Sequence, residues 1–143
     1  MNCIIIDDEA MARAIVKQLC SKIPKLDVIE EFDNAISAIK FLNQQNIDVI
    51  FLDIHMPGFS GVDFVQTLKD PPNIVLTTSD TDFAIAAYEY ECIVDYLVKP
   101  ITQERFEKCI TKISGLSSKP TRVKSENKQD SIEGEDLYIN IDR

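Results

Sequence analysis

Five short β-branched runs recur along the chain, and each is followed by a stretch with helical spacing. The runs are Asn2–Ile6, residues 26–32, 47–52, 74–78 and 92–98. The first, third, fourth and fifth are close to continuously apolar, the mark of strands covered on both faces in a parallel sheet. The second (Leu-Asp-Val-Ile-Glu-Glu-Phe) is more polar and reads as an edge strand. Strict alternation of strand and helix leaves few topologies: a doubly wound α/β sheet of five parallel strands, with right-handed crossovers and helices on both faces.

The helical segments have recognisable ends. Residues 10–23 carry Met11, Ile15, Leu19 and Ile23 at four-residue spacing, and Pro24 closes the segment. Asp33 or Asn34 caps a second helix bearing Ile36, Ile39, Phe41 and Leu42, which ends in residues 43–46. Residues 61–69 predict a third with Val62, Val65 and Leu68 inward, broken by Asp70-Pro71-Pro72-Asn73. After a loop at 79–82, residues 83–90 form a weaker, Ala-rich helix whose Phe83, Tyr88 and Tyr90 read as packing residues. Thr102 caps the last helix, to residue 114, with Phe106, Cys109, Ile110 and Ile113 on one face.

At 143 residues there is room for one ordinary domain and a short extension. The main domain is expected over residues 1–115. Residues 116–135 are rich in Ser, Lys, Asp and Glu and read as a flexible linker. Residues 136–143 begin a new strand-like alternation of Leu137, Ile139 and Ile141. A net charge of −9 argues against nucleic-acid binding by these residues themselves. No apolar run reaches membrane-spanning length and no signal peptide is evident, so a cytoplasmic protein without membrane contact is expected. Cys3, Cys20, Cys92 and Cys109 lack metal-type spacing and read as buried reduced thiols.

Chemistry collects at the ends of the runs. Asp7-Asp8 follows the first, Asp53 the third, Thr78-Ser79 the fourth and Lys99-Pro100 the fifth. Ligand sites of open α/β sheets form at the carboxyl ends of strands, so these residues should converge. Asp53 stands at the head of Asp53-Ile54-His55-Met56-Pro57-Gly58-Phe59-Ser60-Gly61, a strand end that turns at once. Crowded carboxylates repel one another, and a hard divalent cation such as Mg²⁺ and a nearby ammonium relieve the repulsion. A carboxylate nucleophile, a metal and a lysine suit phosphoryl transfer onto Asp53, with Lys99 neutralising phosphoryl oxygens and Thr78 offering a hydroxyl.

The ordered set Asp7-Asp8, Asp53 with Met56-Pro57 and Gly61, Thr78-Ser79 and Tyr96-Leu97-Val98-Lys99-Pro100 resembles the CheY-like receiver domain of two-component response regulators. The resemblance covers about residues 1–115. It implies a flavodoxin-like sheet of order 2-1-3-4-5 flanked by five helices. It implies that Asp53 accepts a phosphoryl group from a sensor histidine kinase. Asp7, Asp8, Asp53 and the backbone carbonyl of His55 would surround Mg²⁺, Thr78 and Tyr96 would act as the switch, and Lys99 would pair with the phosphate. Ser79 stands where the family often has Ala. Residues 88–100 and Thr77-Thr78 further resemble the receivers joined to LytTR-type DNA-binding domains, and residues 137–142 resemble the first strand of that output domain. The implied protein is a transcription regulator that homodimerises through the helix at 83–90, the strand at 92–98 and the last helix, and contacts DNA only through a C-terminal domain of which 136–143 is the start.

Simpler readings exist for single motifs. Asp7-Asp8-Glu9 alone reads as an acidic first turn favoured by the helix dipole. Tyr96 alone reads as a sheet-edge aromatic with a wet hydroxyl, and Thr78 as an ordinary β-former. His55, the sole histidine, suits a loop position better than a ligand role for its ring, since Mg²⁺ prefers oxygen. Two other functions fit parts of the pattern: a stand-alone receiver for phosphorelay or docking, and a Mg²⁺-dependent phosphohydrolase with an aspartyl nucleophile. Against the hydrolase, the haloacid-dehalogenase type needs a second Asp two residues after the nucleophile, where this chain has His55. The expectation is a phosphoacceptor switch and not an enzyme.

Overall fold

The computed structural model describes residues 1–56, 61–79 and 90–117. The chain divides into two compact units, Met1–Ile110 and Thr111–Arg143, and the first holds the whole sheet. The strands are β1 (Asn2–Ile6), β2 (Asp27–Phe32), β3 (Val49–Asp53), β4 (Asn73–Thr78) and β5 (Ile93–Val98). The described helices are α1 (Ala10–Ser21), α2 (Ala35–Leu42), α3 (Gly61–Thr67) and α4 (Gln103–Ser117). Residues 83–89 of the expected fourth helix, the tip of the loop at 57–60, residues 118–135 of the expected linker and the terminal strand lie outside the described residues, while residues 115–117 continue α4 beyond the end expected at 114.

All strand pairs are parallel, and the order is β2-β1-β3-β4-β5. β3 is buried at every position and β2 is largely exposed, which matches their central and edge places and the polarity of their sequences. Alternation along the strands supplies two cores. On one face Ile4, Ile6, Ile50, Leu52, Ile74, Leu76 and Tyr96 join Ala35 and Ala38 of α2 and Phe64 and Val65 of α3. On the other, Phe51 of β3 stacks at 5.4 Å from Phe106 of α4, and Cys3 of β1 meets Cys20 of α1. Tyr90 packs against the first core.

The inward faces of α1 and α2 differ from the expected stripes. α1 buries Ala12, Val16, Leu19 and Cys20, while Met11 is 76% exposed and Ile15 is 47% exposed. In α2 the buried residues are Ala35 and Ala38, and Ile36 is exposed. In both, small residues let the helix backbone approach the sheet: Met11, Ile15 and Ile36 are turned toward solvent, while Val16 and Leu19 are buried as well and Ile39, Phe41 and Leu42 pack, partly buried, against the core. In α3, Phe64 joins Val65 in the core and Leu68 is only partly buried. Of the two candidate caps for α2, Asn34 does the work, accepting from the Ser37 N–H at 2.8 Å. Thr102 caps α4 by accepting from the Arg105 N–H at 3.2 Å, and Phe106, Cys109, Ile110 and Ile113 are all buried. Cys3, Cys20 and Cys109 are buried free thiols, but Cys92 is half-buried.

Candidate functional site

Strand register brings the predicted residues to one edge. Ile6 of β1 is level with Leu52 of β3, so Asp7 leaves the sheet beside Asp53. Asp53 is level with Thr77, and Thr78 with Val98, the residue before Lys99. The Lys99 N–H donates to the Thr78 carbonyl at 2.7 Å, which fixes the start of the cis Lys99–Pro100 turn against β4.

Asp7, Asp8 and Asp53 each offer a carboxylate oxygen, and these atoms lie within 4.8 Å of one another. Asp7 and Asp53 are buried and Asp8 is exposed, so the cluster has a dry floor and an open side. Burial, followed by the charge of Asp7, pushes the Asp53 carboxyl up to about 6, against the opposing pull of Lys99 and the His55 N–H. Lys99 Nζ donates to Asp7 Oδ2 at 2.9 Å and stands 3.7 Å from Asp53 Oδ1. Burial disfavours the Lys99 ammonium, but the bond to Asp7 and the charge of Asp53 outweigh it and hold its pKa above the usual lysine value. The negative charge left over and the all-oxygen donor set fit a hard divalent cation.

Every polar group of Asp7 is engaged. Its N–H donates to the Phe32 carbonyl at 3.0 Å, and Oδ1 accepts from the Glu9 N–H at 2.9 Å. Oδ2 takes Lys99, and the carbonyl accepts from Arg13 Nη1 at 2.7 Å. Thr78 is fully buried at the end of β4, and Ser79 beside it is exposed. His55 is exposed, and its N–H points to Asp53 Oδ1 at 3.4 Å. Tyr96 is 8% exposed and belongs to the core, so the wet sheet-edge position does not hold for it.

Two pairs escaped the sequence reading. Arg13 reaches both the Asp7 carbonyl and Glu31 on β2. Asp95, buried in β5, takes two bonds from Arg105 of α4, at 2.6 and 3.0 Å, while Arg105 also donates to the Tyr96 carbonyl. A lone acid inside the apolar run 92–98 was the available signal for Asp95; its partner, ten residues on, has none.

A family model described as the response regulator receiver domain matches residues 3–111. The chain belongs to this family. As a response regulator receiver domain it has relatives along its whole length. It is 32% identical to the sensory transduction protein LytR of Staphylococcus haemolyticus, aligned over all of this chain and 58% of that protein. It is 30% identical to the transcriptional regulatory protein LytR of Staphylococcus aureus strain N315, over all of this chain and 56% of that protein. The receiver thus spans little more than half the length of these curated relatives. Among solved structures it is similar to the response regulatory domain of protein mrkE from Klebsiella pneumoniae, with a TM-score of 0.75 at 30% identity, covering 82% of this chain and 98% of that one. The isolated REC domain of RcsB from Salmonella enterica serovar Typhimurium shares the fold, with a TM-score of 0.72 at 22% identity, over 80% of this chain and 88% of that one. No described helix is long and apolar enough to cross a membrane.

Proposed function

We propose that this receiver takes a phosphoryl group from a histidine kinase onto Asp53 and passes the signal to a LytTR-type DNA-binding output. The observation that carries the reading is the grouping of Asp7, Asp8 and Asp53 with Lys99 at one edge of the sheet. Asp53 is the nucleophile. Its carboxylate oxygen attacks the phosphorus of the phosphohistidine, the P–N bond breaks with its electron pair going to the ring nitrogen, and the imidazole, already protonated on its other nitrogen, leaves neutral while an acyl phosphate forms.

Asp7, Asp8, Asp53 and the His55 carbonyl are the groups that would hold Mg²⁺, which when bound supplies positive charge to the transferring oxygens. Lys99, already between Asp7 and Asp53, supplies a second positive charge and turns to the phosphoryl group once it is attached. Thr78 gives its hydroxyl to another phosphoryl oxygen. Tyr96 is inward in this structure, so on this reading phosphorylation favours an arrangement already accessible to the chain.

The surface that responds takes in β5 and α4, with the segment 83–90 that the family resemblance adds to it, and homodimerisation through it would pair two output domains on DNA. Val98, 39% exposed on β5, is an apolar residue available to such a surface. Residues 1–115 make the receiver, 116–135 a linker and 136–143 the first strand of the output domain. Alignment of the whole chain with longer LytR relatives supports that organisation.

Incubation with acetyl phosphate, with Mg²⁺ or with EDTA, tests the reading by intact mass and size-exclusion chromatography. A single Mg²⁺-dependent phosphoryl adduct and a shift toward dimer are expected. Rapid multiple turnover of phosphate esters without a lasting adduct would contradict it.

A further inference from the structure

The link from α1 to the acidic loop goes beyond the residues considered so far. Arg13 lies on the second turn of α1, and its side chain is 18% exposed. Nη1 donates to the Asp7 carbonyl at 2.7 Å, and Nε donates to Glu31 Oε1 at 3.1 Å. Glu31 is held in turn by Lys17 at 3.2 Å, and Lys17, then Arg13, keep its carboxyl below the usual range despite the opposing effect of burial. One planar guanidinium therefore spans the edge strand and the loop. A tie between α1 and β2 alone would need only the Glu31 bond.

We propose that Arg13 is a positioning residue for cation binding: anchored by Glu31, it fixes the Asp7 carbonyl and so presets the Asp7 and Asp8 carboxylates. The inference rests on the Mg²⁺-dependent reading above. Three other bonds already restrain Asp7, through its N–H and both carboxylate oxygens. Two of them change when a cation arrives or Lys99 moves: the Lys99 bond directly, and the Glu9 bond through the shared carboxylate. The carbonyl bond to Arg13 uses neither carboxylate oxygen nor Lys99 and can persist throughout. A lysine would keep the charge but cannot reach both acceptors with a rigid fork. Partners that orient metal ligands typically change affinity by about 10- to 100-fold when removed.

The test is a direct Mg²⁺ titration of the full chain, followed by amide NMR shifts without phosphodonor, paired with the Mg²⁺ dependence of labelling by acetyl phosphate. Wild type, Arg13→Gln, Arg13→Lys and Glu31→Gln are compared. Arg13→Gln is expected to raise the Mg²⁺ half-saturation about 10-fold while the labelling rate at saturating Mg²⁺ stays near wild type. Arg13→Lys should not rescue it, and Glu31→Gln should shift it the same way. Unchanged or tighter Mg²⁺ binding in Arg13→Gln, or rescue by Arg13→Lys, overturns the proposal and leaves a mere tie between α1 and β2. If Arg13→Gln does not fold, wild-type affinity in Glu31→Gln overturns it. A wild-type protein that binds no Mg²⁺ but is labelled by acetyl phosphate would overturn the cation reading itself, and this proposal with it.

Discussion

Lys99 is bonded to Asp7 at 2.9 Å and stands farther, at 3.7 Å, from Asp53. The ammonium thus leans on the carboxylate that is not the proposed nucleophile, leaving Asp53 less neutralised than its neighbour. Lys99→Ala would strand two buried carboxylates. The expected cost without Mg²⁺ at neutral pH is about 2–4 kcal/mol, since breaking a buried pair leaves an uncompensated charge. Because the Lys99 pKa is raised, its contribution is present throughout the range below the ordinary lysine value and is lost only as pH rises through the raised one. Chemical denaturation with and without Mg²⁺ checks this, and Mg²⁺ should restore more stability to the variant than to wild type.

Asp53 gives a pH signature of the same sign in a lower pH range. Its carboxyl is raised from 3.8 to about 6, first by burial and then by Asp7. Between these values the folded protein keeps a proton that the unfolded chain releases, so stability falls as pH rises from about 4 to 6. Asp53→Asn removes the cost of burying the charge. It should be more stable than wild type above pH 6, by about 2–3 kcal/mol without metal, and close to equal below pH 4. Denaturant midpoints at the two pH values measure the difference.

Asp95 and Arg105 join β5 to α4 through two bonds onto a buried carboxylate. Arg105→Ala should destabilise by about 2–3 kcal/mol, because the buried Asp95 carboxylate loses both of its charge-assisted bonds from the guanidinium. The double variant Asp95→Asn with Arg105→Gln should cost less than Arg105→Ala alone, as measured by urea unfolding.

Thr78 separates labelling from response. Thr78→Ala should still form the Asp53 adduct but lose the dimer shift, whereas Thr78→Ser, which keeps the hydroxyl, should retain both. Intact mass and size-exclusion chromatography on the same samples read the two effects.

Much of this arrangement was legible in the sequence because sheet order and strand ends are set by features with strong local signals. The apolar run into Asp53 and the polar run at residues 26–32 announce a central and an edge strand, and β3 and β2 take those places. The grouping of Asp7, Asp8 and Asp53 follows from strand ends in parallel register, and the long side chain of Lys99 reaches it from the end of β5. Helix faces were harder: Met11, Ile15 and Ile36 are larger and more apolar than Ala12, Ala35 and Ala38, yet the alanines face the sheet. Spacing gives a period, and close packing decides its phase. Arg13 with Glu31 and Asp95 with Arg105 depend on long side chains crossing between elements, for which local sequence carries no pattern.

Mapping the phosphoryl group to one residue tests the central claim most directly. After acetyl phosphate and Mg²⁺, reduction with borohydride converts an aspartyl phosphate to homoserine, and peptide mass spectrometry locates it. The account predicts homoserine at position 53, dependent on Mg²⁺ and absent from Asp53→Asn. A stable adduct on His55 or Thr78, or equal labelling of Asp53→Asn, would contradict it.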